Sequence, residues 1–149
     1  MLFVTLPFLL ALWEYNLINI VERMSVEKKN AYIGVDLGGT NMRAGRIVGD
    51  RLVAQGSAPT PKDAADCEET LEALIEVIRS VWDESVVAIG IGVPSVVDRE
   101  KGIVYNVVNI PHWEEVHLKE ILEACFSVPV YVDNLSLIHI SEPTRLRRI

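Results

Sequence analysis

A chain of 149 residues with 14 Lys plus Arg against 21 Asp plus Glu carries a formal charge of −7, and its pI of about 4.9 leaves no basic face to neutralise nucleic-acid phosphates. That length is the size of one domain able to bury its own core. The two cysteines, Cys67 and Cys125, form no Cys-x-x-Cys pair and have no histidine at ligand spacing, so metal binding is disfavoured and both read as reduced, buried thiols of a cytosolic protein.

Residues 1–13 are almost wholly hydrophobic, but Pro7 breaks the run and Glu14 ends it, short of the ~20 residues a membrane-spanning helix needs. No basic segment precedes it and no small-x-small cleavage site follows, so it is also a poor signal peptide. Met24 and the polar lead-in Ser25-Val26-Glu27-Lys28-Lys29 come next. Residues 1–23 are therefore read as a spurious extension from a start codon placed too far upstream, with a genuine hydrophobic anchor as the alternative.

Residues 31–41 read as an apolar strand ending in an acid and a glycine turn closed by a hydroxyl. Ile33, Val35 and Leu37 supply strand propensity. Gly38 and Gly39 leave no Cβ between their amides and an anion, so successive N–H groups can cradle phosphate oxygens. Asp36 is placed to hold a hydrated Mg²⁺ or orient a water, and Thr40 and Asn41 add side-chain donors. An ordinary hairpin turn is the competing reading, because Gly-Gly between apolar strands is a common hairpin signal.

Two more strands, 42–48 and 51–57, are joined at Gly49-Asp50, giving an antiparallel meander. Pro59 and Pro61 then break the sheet. Asp66 followed by Glu69 resembles a capping pair, and Leu71, Leu74, Ile75, Ile78 and Trp82 recur at helical spacing opposite Glu68, Glu72, Glu76 and Arg79. Residues 86–91 are a continuous apolar run, which predicts a central strand buried on both faces. The Gly90-Ile-Gly-Val-Pro-Ser95 segment superficially suggests a dinucleotide fingerprint, but Pro94 and the residues after it suit a loop and a short hairpin where a phosphate-binding helix should open. Leu118, Ile121, Leu122 and Cys125 make a second amphipathic helix, and residues 128–132 a last buried strand. A meander continuing as strand-helix-strand units is a mixed α/β sheet.

The phosphate turn, the Gly-x-Gly-x-Pro loop and the segment Asn109-Ile-Pro-His-Trp113, in that order, resemble the ROK family of glucokinases, fructokinases, N-acetylhexosamine kinases and related sugar-responsive repressors. The match runs over residues 31–134. The resemblance implies the N-terminal lobe of a two-lobed, actin-like ATPase (ribonuclease H-like) α/β fold with a mixed sheet flanked by helices, and a cytoplasmic, homo-oligomeric parent that binds a small-molecule sugar and ATP with Mg²⁺, with no nucleic-acid or membrane partner. It implies that Asp36, Gly38, Gly39, Thr40 and Asn41 meet the ATP phosphates and Mg²⁺. It also implies that Gly92, Pro94 and Ser95 flank the sugar, although Gly often stands at the position of Ser95. Asn109 and Trp113 would close over the hexose; the competing reading packs Trp113 as core and uses Asn109 to cap its turn. His112 and His117, with no carboxylate or cysteine partner apparent in the sequence, read as surface histidines.

Similar kinases follow the last strand with Asn-Asp, the Asn contacting sugar and the Asp acting as general base. Here Asn134 matches the sugar-binding Asn, but Leu135 occupies the base position, so no catalytic residue is assigned. Asp133 precedes Asn134 and should point to the other face of the strand. Residues 135–149 look like the translation of a sequencing-library adapter, a non-native tail to be left out of fold reasoning; a divergent pseudokinase tail is the alternative. The core, residues 24–134, holds 10 Lys plus Arg and 18 Asp plus Glu, a net of −8. The expected layout is thus a spurious extension at 1–23, a truncated ROK kinase lobe at 24–134 and an adapter-derived tail at 135–149. The expected function is ATP-dependent phosphorylation of a hexose or N-acetylhexosamine by the full-length parent, the fragment itself being inactive. The alternative is a sugar-responsive repressor, disfavoured because only Arg23 is basic among residues 1–23.

Overall fold

The computed structural model describes residues 30–134; the expectations for residues 1–29 and 135–149, including the extension, the tail and Leu135, lie outside the described residues. The chain opens as a meander of β1 (Ala31–Leu37), β2 (Asn41–Val48) and β3 (Arg51–Pro59). Gly49 turns the second hairpin at φ 63°, a conformation glycine adopts without steric cost. β3 runs two residues further than its apolar pattern suggests and pairs Pro59 with Asn41. Proline is tolerated there because β3 is the edge strand and need not donate outward.

Helix α1 (Cys67–Ser80) starts where the capping pair predicts. The Asp66 carboxylate accepts the Glu69 amide at 3.0 Å, which satisfies one orphan donor of the first turn, and the Glu69 carboxylate reaches back past the cap to accept the Ala65 amide at 3.0 Å. Thr70, Leu71, Leu74, Val77 and Ile78 form its buried stripe. Trp82 lies beyond the helix end and stacks at a tilt on Phe126, ring centroids 5.0 Å apart. The chain then enters β4 (Val86–Val93), which pairs parallel with β1, and after a hairpin and helix α2 (Leu118–Phe126) it adds β8 (Val130–Asn134) parallel to β4. The five-stranded sheet has the order β3-β2-β1-β4-β8.

A second sheet, of β5 (Val96–Asp98), β6 (Ile103–Tyr105) and β7 (Glu115–Val116), packs beside it. Strand β7 is too short to carry a periodic signal. The β5–β6 turn depends on Gly102, at φ 65°, where a Cβ would overlap Lys119 on the first turn of α2; the Lys119 amide donates to the Gly102 carbonyl at 3.2 Å.

One face of the large sheet carries the core. Ala31, Ile33, Val35 and Leu37 alternate with exposed Tyr32, Gly34 and Asp36. The inward residues join Met42, Ala44, Ile89, Ile91, Val93, Val130 and Val132 in one cluster with both helices. This corrects the expectation that 86–91 is buried on both faces: Ile89 and Ile91 are buried, while Val87 and Gly90 are exposed. The apolar run misleads because alanine and glycine carry no polar atoms to mark the open side. The last strand likewise begins at Val130 rather than Val128, and Tyr131 stands 65% exposed.

The cysteines also depart from expectation, since Cys125 is exposed and Cys67 half-buried. Cys125 sits on α2, whose buried positions are Leu118, Leu122 and Phe126. Burial pushes the Cys67 thiol above its ordinary value, and the charges of Asp66 and Glu68 push the same way.

Two outcomes follow from this packing. Leu74→Ala, at a fully buried position, is expected to lower unfolding free energy by about 2–5 kcal/mol, read as a shift of the urea midpoint at unchanged slope. Because the thiolate is the reactive form, iodoacetamide at mildly alkaline pH should alkylate Cys125 well before Cys67, as read by peptide mass mapping; equal rates would contradict the assigned burial.

Candidate functional site

The carboxyl ends of parallel strands β1, β4 and β8 are brought to one edge of the sheet. In register, Asp36 lies opposite Arg43 on β2 and Gly92 on β4, Gly92 lies opposite Asp133 on β8, and Val93 lies opposite Asn134. Open sheets of this kind bind ligands beyond the carboxyl ends of their strands. Pro94 and Ser95 follow directly from β4.

The glycine turn between β1 and β2 is a hairpin turn, which leaves room for a cradle only in the amides that the hairpin does not use. Gly38 donates its amide to the Asn41 carbonyl at 3.0 Å, which closes the hairpin and removes that N–H from any cradle. This corrects the expectation for Gly38. The turn is then tied from behind by Thr60, which is 3% exposed. Its hydroxyl donates to the Gly38 carbonyl at 2.6 Å, and its amide donates to the Thr40 carbonyl at 2.9 Å. A trans peptide is planar, with C=O and N–H on opposite sides. The Gly39 and Asn41 amides, joined to those two carbonyls, are therefore turned away from Thr60, and the cradle reduces to these amides with the exposed Thr40 side chain.

Gly39 also faces a second loop. A Cβ at Gly39 would come 2.9 Å from the Asn109 Cβ. Asn109 sits at φ 71°, a left-handed conformation that asparagine tolerates better than most residues. Gly39, Thr40, Lys62, Asn109, Ile110 and Pro111 together line a cavity of about 580 Å³. The turn at Gly38–Asn41 and the Asn109 segment thus meet at one cavity. A larger cleft, about 930 Å³, lies over the open face of the sheet and is lined by Asp36, Gly92, Arg43 and Asp133 among others. Asp36 and Thr40 therefore face different cavities, although only three residues separate them.

Two of the residues expected to face the sugar have partners within the fold. Trp113 is 2% exposed and belongs to the core cluster, as its competing reading as a packed aromatic expects. The Ser95 hydroxyl donates to the Tyr105 carbonyl and so joins the end of β4 to β6. Asp133 lies on the open face, as strand alternation requires, where Arg99 donates to it at 2.8 Å and the Asn134 amide at 2.7 Å. His117 is better partnered than its sequence context suggests: Nε2 lies 3.2 Å from Glu115 and Nδ1 3.7 Å from Glu120. His112 is exposed.

The residues present suit a phosphate chain with its metal. The Gly39 position would be filled by any Cβ, and Asp36 offers an exposed carboxylate at a strand end. One or two carboxylates plus substrate phosphates is the usual complement for Mg²⁺. Among the described residues no group of three or more His, Cys, Asp or Glu forms a metal cage. Sequence reading passed over Thr60 and Lys62. The signal for Thr60 is its place between Pro59 and Pro61, which makes its amide the only backbone donor of that tripeptide.

Comparison with known proteins bears on the same residues. A family model described as the ROK family matches residues 32–136. The glucokinase of Streptomyces coelicolor is 35% identical over 108 residues, covering 68% of this chain and 32% of that protein. The xylose repressor of Caldicellulosiruptor bescii is 32% identical over 110 residues, covering 68% and 27% respectively. Among solved structures, a ROK family glucokinase from Streptomyces griseus in complex with glucose and AMPPNP is similar at a TM-score of 0.61 and 30% identity, covering 70% of this chain and 33% of that one. The chain spans about a third of the length of the curated relatives it matches. The fold is that of the actin-like ATPase lobe, a mixed sheet with flanking helices.

The Gly39–Asn109 contact yields a paired test. Gly39→Ala should displace the Asn109 loop, visible as large amide shifts at residues 107–111 in ¹H–¹⁵N spectra. Adding Asn109→Gly removes the opposing Cβ and suits the positive φ, so the double variant should return the remaining loop amides toward wild-type positions.

Proposed function

Because the chain belongs to the ROK family, we propose that the protein it represents is a sugar kinase that transfers a phosphoryl group from MgATP to a hexose or N-acetylhexosamine. The observation that carries this reading is the Thr60-tied turn at Gly38–Asn41 facing the Asn109 loop across one cavity, a donor-phosphate element set against a sugar-loop element. Similarity to glucokinases and to a structure holding glucose and AMPPNP supports it.

In this mechanism the Gly39 and Asn41 amides and the Thr40 hydroxyl hold phosphate oxygens and place the terminal phosphorus for in-line attack. Asp36, at the end of β1 on the side of the larger cleft, is the carboxylate that would hold a hydrated Mg²⁺. Bound MgATP supplies the phosphoryl group and neutralises charge as it develops. Asn109 and Asn134 offer amide donors and acceptors to sugar hydroxyls, with Gly92 and Pro94 forming the adjoining wall. Ser95 fixes the β4–β6 junction beneath them. A general base must take the proton from the attacking hydroxyl. Leu135 stands where similar kinases carry the catalytic aspartate, so this chain by itself is assigned no base. The layout of a kinase lobe at 24–134 between non-native ends is part of the same proposal, as are cytoplasmic location and a homo-oligomeric parent.

The repressors among the relatives favour a second reading, a sugar-responsive regulator built on the same lobe. Coupled ADP release with a panel of hexoses decides between them. The full-length protein should turn over at least one hexose, and the 149-residue chain should run roughly 10²- to 10⁴-fold slower for want of a base. Turnover by the chain at the rate of an intact kinase would overturn the assignment at residue 135; promoter-DNA gel shifts by a full-length protein without ADP release would transfer the reading to the repressor.

A further inference from the structure

Resting on the kinase reading, we propose that Lys62 is a phosphate-binding residue of the site, completing the cradle beside the glycine turn and meeting the terminal phosphate of the donor. The cavity between the turn and the Asn109 loop is lined by six residues, of which Lys62 alone is charged. Its position there follows from the backbone. Thr60 is pinned to both Gly38 and Thr40, Pro61 fixes the next φ, and the chain then delivers Lys62 to the same rim two residues later. The Thr60 ties that orient the amides thus also set the lysine.

Charge makes the position matter. The core at 24–134 carries 10 basic against 18 acidic residues, so the long-range field repels a polyanion and a local cation must offset it. Three of the arginines are already engaged: Arg46 with Asp83 at 3.2 Å, Arg79 with Glu76 at 2.7 Å and Arg99 with Asp133 at 2.8 Å. Arg43 lies opposite Asp36, over the other cleft. Lys62 makes no ion pair among the described residues and is exposed, free to swing its ammonium onto an oxygen as a point charge. Because the cavity lies between the phosphate turn and the sugar loop, the oxygen within its reach is that of the phosphoryl group in transfer, where stabilising developing charge counts most.

Inorganic tripolyphosphate, which carries the charge of the donor without its base or ribose, is the probe. Isothermal titration of the full 149-residue chain with tripolyphosphate and Mg²⁺ should give saturable binding. Lys62→Gln should weaken it about tenfold, the scale of one charge-assisted hydrogen bond, while Lys62→Arg should retain most of it. Lys101→Gln, the same charge change on the β5–β6 turn, should leave it unaltered. Equal weakening by Lys62→Gln and Lys101→Gln would reduce the effect to net charge and overturn the proposal. Unchanged binding in Lys62→Gln overturns it while leaving the phosphate site standing. Absence of binding by the wild-type chain overturns both the phosphate-site reading and the role of Lys62.

Discussion

Thr60 holds two carbonyls of the glycine turn with its own hydroxyl and amide, and the geometry of the site descends from those two bonds. With Gly38 and Thr40 both facing inward, peptide planarity turns the Gly39 and Asn41 amides the other way. A buried hydroxyl must find an acceptor to offset its desolvation, so burying Thr60 and ordering the turn are one event. The same residue sits at the junction of the edge strand β3 and the loop leading to α1, which couples the turn to the helical layer.

Around that point the sheet supplies direction. Strands β1, β4 and β8 run parallel, so their carboxyl ends gather Asp36, Gly92 and Asn134 along one edge. The hairpin to β2 then folds the chain back antiparallel, which presents a tight turn where a parallel connection would need a long crossover. The small sheet anchors the second loop: Trp113, Val104 and Val116 all belong to the buried core, and backbone bonds from Asn106 to Glu114 and from Val107 to Trp113, at 2.9 and 3.0 Å, pin the base of the loop carrying Asn109. The buried aromatic ring anchors that loop to the core.

The open face of the sheet is a different environment. Gly45, Gly34 and Gly90 lie in one row across three strands, with Gln55 and Tyr131 at its ends, so the floor of the larger cleft is nearly bare backbone. A charged row, Arg43, Asp36 and Asp133, runs beside it. Asp36 belongs to this face and Thr40 to the other cavity because one tight turn separates them.

Much of this was legible in the residues. The meander, the turn at Gly49-Asp50, the capped helix α1 and the hairpin after Pro94 follow from local signals: alternation, a glycine able to take positive φ, and an Asp three residues ahead of a Glu. These depend on neighbours within a few positions, so sequence alone determined them, and the ordered motifs determined the family. Only the tertiary structure decided that 86–91 is covered on one side, that Trp113 is core, that Cys125 faces solvent and that His117 meets two glutamates. It also decided that Gly39 abuts Asn109 and that Thr60 locks the turn. Those facts depend on which segments meet across the fold, and side-chain burial is a property of that meeting rather than of residue type.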